Sequence, residues 1–149
     1  MAIKFYKTNE EFGFLNNFTI SNMYLYGRWW NTVEAAYQSQ KTLILSEQDS
    51  IWMAKNPREA RDLGQKVTMR PNWDNIKNDV MYECVLAKFL QNTTLKSKLN
   101  ATSNHELIED SPVDFWWGIG HDGTGQNMLG KILMKVRDII NDEYRIRKK

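Results

Sequence analysis

Apolar residues recur along this chain with more than one period, and the changes of period divide it into elements. Ile3 to Tyr6 predicts a short strand. Met23-Tyr24-Leu25-Tyr26, then Gly27-Arg28, then Trp29-Trp30 predicts a hairpin, because a glycine between two β-favouring runs permits a tight turn. Thr32 follows as N-cap of a helix expected to reach about Leu45. Ser46 with Asp49 three residues on, and Asn56 with Pro57 and Glu59, have the spacing of capping boxes, and Gly64 is a natural stop for the second of these helices. Asn72 is expected to cap a longer helix whose apolar stripe runs through Trp73, Ile76, Val80, Cys84 and Ala87, widened by Met81 and Val85. A last helix carries Leu129, Ile132, Leu133, Val136 and Ile140 on one face. No repeat, low-complexity stretch or linker interrupts the pattern. The expectation is one domain over residues 1–149, of the α+β class and mainly α-helical, with a few short strands.

Composition narrows the function more than the fold. No apolar run approaches the ~18 residues of a membrane span, and the first residues lack the apolar core of a signal peptide. A cytoplasmic protein with no membrane partner is therefore expected. The single cysteine, Cys84, leaves no internal disulfide, and its place on an apolar stripe reads as core rather than nucleophile. With only His105 and His121, a zinc centre would need unusual carboxylate help, so neither metal nor cofactor is expected. His105 has the setting of a surface residue, and His121 that of a solvated loop residue. A net charge of +2 is too small to announce nucleic-acid binding, and the basic tail Arg145 to Lys149 reads as a solvated helix end. The anomaly is aromatic: of six tryptophans, four form the adjacent pairs Trp29-Trp30 and Trp116-Trp117.

Three clusters could carry chemistry. In the first, Trp29 to Lys41, the cap at Thr32 puts Glu34 in the opening turn of a helix, where the helix dipole favours a carboxylate. Glu34, Gln38 and Lys41 share one side of that helix, next to indoles whose flat faces suit a sugar or base. The second, Gly64 to Asp74, places Lys66 and Arg70 ahead of a helix N-terminus, where cations and amides can hold phosphate. The third runs from Ser111 to Asn127. It sets Asp114 before Trp116-Trp117, and its four glycines feed the final helix, so that amides around Gly125 and Asn127 could approach a phosphate. It has the spacing neither of a Walker loop nor of a dinucleotide-fold turn. Each cluster also has a plain reading: a surface helix, a helix connection and a chain-turning loop.

Taken together the clusters resemble the NADAR superfamily, which includes YbiA-like N-glycosidases. The resemblance lies in Ile3-Lys4-Phe5-Tyr6, Phe18 after Asn16-Asn17, Trp30 through Glu34, and Tyr37-Gln38-Ser39-Gln40-Lys41. It continues in Gly64, Lys66, Arg70 and Trp73, in Met81 and Ala87-Lys88-Phe89, and in Asp114, Trp117-Gly118, Gly125, Asn127 and Leu129-Gly130. Asn31 stands where the family often has proline. The resemblance implies an enzyme that hydrolyses an N-glycosidic bond at C1 of a ribose. Its substrate would be ADP-ribosylated guanine in nucleic acid or a phosphoribosylated small-molecule intermediate of riboflavin synthesis. It implies Glu34 and Asp114 as catalytic carboxylates, with tryptophans shaping the pocket. Beside them the chemistry of the clusters nominates Lys66, as a phosphate ligand or a Schiff-base amine, and Trp30, Gln38, Arg70, Trp116, Trp117, Gly125 and Asn127 as substrate-binding groups. The competing expectation is an ADP-ribose or nucleotide-binding module without catalysis.

Overall fold

The computed structural model describes residues 1–147, so Lys148 and Lys149 of the basic tail lie outside the described residues. The order is β1 (Ala2–Phe5), a 3-10 turn (Gly13–Leu15), β2 (Met23–Leu25), β3 (Arg28–Trp30), α1 (Val33–Ser39), α2 (Leu45–Trp52), α3 (Pro57–Gly64), α4 (Trp73–Leu90), α5 (Thr93–Asn100), β4 (Glu106–Glu109) and α6 (Met128–Arg147). This is an α+β fold dominated by helices. No helix among the described residues is long and apolar enough to cross a membrane.

The hairpin forms as the sequence predicts. Met23 pairs with Trp30, and the turn residues Tyr26 and Gly27 both have positive φ, 55° and 80°, as a two-residue turn matched to strand twist requires. Thr32 caps α1 by accepting the amide hydrogen of Ala35 at 3.1 Å. Because that hydroxyl is buried and spent on an end of the helix, Thr32→Ala should lower the unfolding free energy by about 1 kcal/mol, read from a urea midpoint.

The helix after Thr32 is shorter than expected. It ends at Ser39 and the chain breaks before α2 starts at Leu45, one residue ahead of the predicted cap Ser46. Thr42 takes over: its hydroxyl receives the Ile44 amide at 3.1 Å and donates to Glu47 at 2.5 Å. Asn56 caps α3 as predicted, at 2.8 Å from the Glu59 amide, with Pro57 first in the helix and Gly64 last. Asn72 precedes α4 but makes no side-chain cap, adopting instead the left-handed region at φ 66°. Two elements had no periodic signal, α5 and β4. β4 pairs in parallel with β1, Phe5 opposite Glu109, and so joins the chain's start to its last third.

The core lies where the two long helices meet this strand pair. Cys84, Val85, Phe89, Leu107, Leu133, Val136 and Ile140 are all almost wholly buried. Cys84 is thus a core residue, its thiol pushed up by burial. The Lys88 charge is buried with them. Lys88 of α4 donates its ammonium to the carbonyls of Phe14 at 2.6 Å and Asn16 at 3.0 Å, tying the irregular 7–20 segment to the helix.

Candidate active site

A cleft of about 930 Å³ opens between α1, α3, the segment following β1, and the loop between β4 and α6. α1 supplies Glu34, Tyr37 and Gln38, the side-chain face expected from helical spacing, and Lys41 follows just past its end. The backbone amide of Glu34 is held by the Asn17 carbonyl at 3.2 Å, so the segment anchored by Lys88 also fixes the start of α1. The Glu34 carboxyl is only 8% exposed and receives the Gln38 side-chain amide at 2.8 Å. Burial raises its pKa, with Gln38, Arg61 and Lys41 acting against that and Asp114 adding to it. The other amide atom of Gln38, Oε1, is buried without a partner and packs over Gly64, where a methyl group would collide with it. Burial lowers the pKa of Lys41, opposed by the Glu34 charge.

The opposite wall is the loop after β4. Asp114 accepts the amides of Trp116 and Trp117 at 2.9 and 2.7 Å, so one carboxylate oxygen braces the turn that presents both indoles. Trp117 meets Tyr37 edge-on at 5.6 Å, and Tyr37 rests on Trp73 at 5.3 Å. Trp116 is tethered to α4 by Asn78 at 3.1 Å and carries the Lys77 ammonium over its ring.

Glu34, Gln38, Asp114, Trp116 and Trp117 therefore share one cleft although up to 83 positions separate them in the chain numbering. The other nominated residues lie elsewhere. Lys66 is exposed and does not line the cleft; the lysines that do are Lys7 and Lys41. Arg70 is used structurally, its amide on the Lys41 carbonyl at 2.7 Å and its guanidinium near that of Gln40. Trp30 is 3% exposed, bonded through its indole NH to the Leu25 carbonyl, and faces a separate hollow of about 480 Å³.

The glycine loop is likewise no phosphate cradle. The amides of residues 124–129 are all spent inside the protein, that of Gly125 on Ile119 at 2.7 Å and that of Asn127 on Gly118 at 3.0 Å. The Asn127 side chain is committed too, accepting from the Glu109 amide and donating to the Leu107 carbonyl, both at 2.9 Å. Gly125 is small because a methyl there would strike the Gly118 carbonyl. His121 is exposed, edge-on to Phe115, and does not line the cleft.

Four charged lining groups were not singled out as site residues from sequence. Arg61, Lys7 and Lys41 bring positive charge. Lys41, just past the end of α1, keeps to the side of Glu34 and Gln38 and reaches the cleft. Glu109 ends β4, and burial together with the Asp114 charge pushes its carboxyl up to about 7. Its position gave no signal because β4 itself was invisible. The arrangement combines three carboxyl groups, flat aromatic faces and a cationic side. It suits a ring-bearing anionic ligand and acid-base work upon it.

Comparison with known proteins agrees in extent. The NADAR domain model matches residues 4–141. The chain is 38% identical over 149 residues to N-glycosidase Npun_R5314 of Nostoc punctiforme, covering 95% of this chain and 94% of that one. It is 34% identical over 138 residues to N-glycosidase YbiA of Escherichia coli, covering 91% and 86%. It is also 39% identical over 142 residues to riboflavin biosynthesis protein VVA0006 of Vibrio vulnificus, covering 94% of this chain and 39% of that protein. The NMR structure of E. coli YbiA superposes with a TM-score of 0.89 at 33% identity, covering 96% of this chain and 86% of that one.

Proposed function

The chain belongs to the NADAR domain family, and on that premise we propose that it is an N-glycosidase hydrolysing the bond between ribose C1 and a base or amine nitrogen. The observation that carries this reading is the buried Glu34 carboxyl facing a cleft that also holds Asp114 and edge-packed aromatic rings. Breaking a ribosyl C–N bond builds positive charge on C1 and the ring oxygen. A carboxylate in a partly dry wall stabilises that charge more than one in water, and it can orient the attacking water. Water then supplies hydroxide to C1, and the departing nitrogen leaves with a proton.

The substrate carries phosphate in either of its candidate forms: ADP-ribose on guanine, or a phosphoribosylated intermediate of riboflavin synthesis. The name of the Vibrio relative, which carries a matching region within a longer chain, supports the second. Incubating the protein separately with ADP-ribosylated guanine oligonucleotide and with the phosphoribosylated pyrimidines, followed by mass analysis, decides between them. Release of neither base removes the enzymatic reading and leaves a nucleotide-binding module.

The cations make a second, separable expectation. Arg61 lines the cleft and Lys66 does not. Arg61→Gln should raise KM roughly 10-fold with little change in kcat, as for loss of a charge-assisted phosphate contact. Lys66→Ala should alter turnover less than about two-fold. Steady-state kinetics on both variants checks this, and a collapse of kcat in Lys66→Ala would restore a covalent role to that lysine.

A further inference from the structure

We propose that Glu109 is the acid that protonates the departing nitrogen, which divides the two halves of the hydrolysis between Glu109 on one wall and Glu34 on the other. This rests on the reading of the cleft as an N-ribosyl hydrolase site.

The geometry isolates Glu109 for this task. Of the three carboxyl groups in the cleft, Asp114 is engaged by two backbone amides that require an acceptor. Glu34 receives a side-chain amide and is nearly covered. Glu109 receives only the Ser111 amide, at 3.2 Å on Oε2. Its backbone is rigidly seated: the strand pairs with β1, its amide is held by Asn127 and its carbonyl by Ile119 at 3.0 Å. Oε2 packs against Gly118 so closely that any Cβ there would overlap it. A glycine at 118 thus makes the space that the carboxyl occupies.

The surroundings favour a proton on this group. Asp110 and Asp114 on its own loop, and Glu34 on α1, all oppose a negative charge at Glu109, with burial the larger cause. Lys41 just past α1, Arg61 on α3 and Lys7 after β1 are the cations of the same cleft, with Tyr6 and Tyr37 its neutral titratable groups. A carboxyl pushed up to about 7 still holds its proton through the acid side of neutrality.

In the step itself, the C1–N bond breaks and its electron pair stays on nitrogen. The Glu109 O–H proton moves to that nitrogen. Water bonds to C1 and gives up one proton, which returns the Glu109 carboxylate to its acid form through solvent or through Glu34. The net change is addition of one water. An exocyclic or ring amine is a poor leaving group as an anion, so the proton transfer is the half of the reaction that a cation-stabilising carboxylate cannot supply.

The test uses the intact protein on whichever N-ribosyl substrate the parent hydrolyses. Parent activity should fall as pH rises through about 7 as Glu109 loses its proton. Glu109→Gln keeps the shape and cannot donate a full proton. It should lose roughly 10²-fold in kcat and lose that alkaline limb, at nearly unchanged KM. Gly118→Ala, whose methyl would meet both the Glu109 carboxyl and the Glu109 backbone carbonyl, should also lower kcat. Circular dichroism confirms that each variant is folded. A folded Glu109→Gln that retains parental kcat and the parental alkaline limb overturns the assignment while leaving the hydrolase reading intact. A parent that hydrolyses no N-ribosyl bond overturns both.

Discussion

Glu34→Gln should lower N-ribosyl hydrolysis by roughly 10²-fold or more, the scale of losing a charge-stabilising group or general base. The substitution is conservative in space. The Gln38 amide at 2.8 Å can still donate to the new side-chain carbonyl oxygen, so α1 and the wall behind it should keep their shape. What disappears is the negative charge available to the ribosyl cation. Affinity for ADP-ribose, measured by calorimetry, should change far less, because phosphate contacts and aromatic stacking supply most of it. Burial raises the Glu34 pKa, so the carboxylate form gains as pH rises, and parent activity should climb on its acid limb while the variant lacks that limb. Hydrolysis by Glu34→Gln at the parental rate would remove this residue from the mechanism.

Lys88→Met should cost about 2 kcal/mol of folding stability. The substitution fills the volume but takes the ammonium from the half-buried carbonyls of Phe14 and Asn16, of which Asn16 keeps the Thr19 amide, and a buried acceptor left unsatisfied costs roughly 1–3 kcal/mol. Removing a buried charge returns part of this, which keeps the expected cost below the top of that range. The pH dependence has a definite sign. Burial pulls the Lys88 ammonium down to about 7, whereas in the unfolded chain it titrates near about 10.4. Between these values the unfolded chain binds a proton that the folded one does not. Lys88 therefore adds stability as pH rises through that window, and the contribution is lost as pH falls through about 7. Parent stability should gain on Lys88→Met between pH 7 and roughly 9 in urea titrations. A Lys88→Met protein as stable as the parent at pH 7 would show that the tether is dispensable. Because the same segment holds the Glu34 amide through Asn17, turnover should fall along with stability.

Sequence pattern located the elements whose apolar faces repeat over several turns, and it located caps whose chemistry is local. Thr32, Asn56 and the Tyr26-Gly27 turn are of that kind, since their partners lie within three residues. The same logic put Glu34 and Gln38 on one side of a helix, and the coupling of carboxylate to indoles singled out Asp114 and Trp117. It did not reach β4, a four-residue strand whose partner is the chain's first strand about 100 positions away, so Glu109 had no context. Nor could it see how the glycine loop spends its amides. Gly118, Gly120 and Gly125 are glycines because backbone or side chains press on them, a fact of tertiary packing that a motif cannot distinguish from a phosphate cradle. Arg70 and Lys66 illustrate the same limit: charge before a helix is legible, its direction is not.

The loop from Asp114 to Leu129 carries its own bonding network, Asp114 on two amides and residues 124–129 on carbonyls of the same loop or its own side chains. Such a wall has already surrendered its conformational entropy during folding. Substrate that enters does not have to order it, so the free energy of stacking and charge contacts is available for affinity and for the transition state rather than being spent on freezing a mobile flap. In hydrogen-exchange terms these amides should be protected in the ligand-free protein, and ligand should add little further protection there.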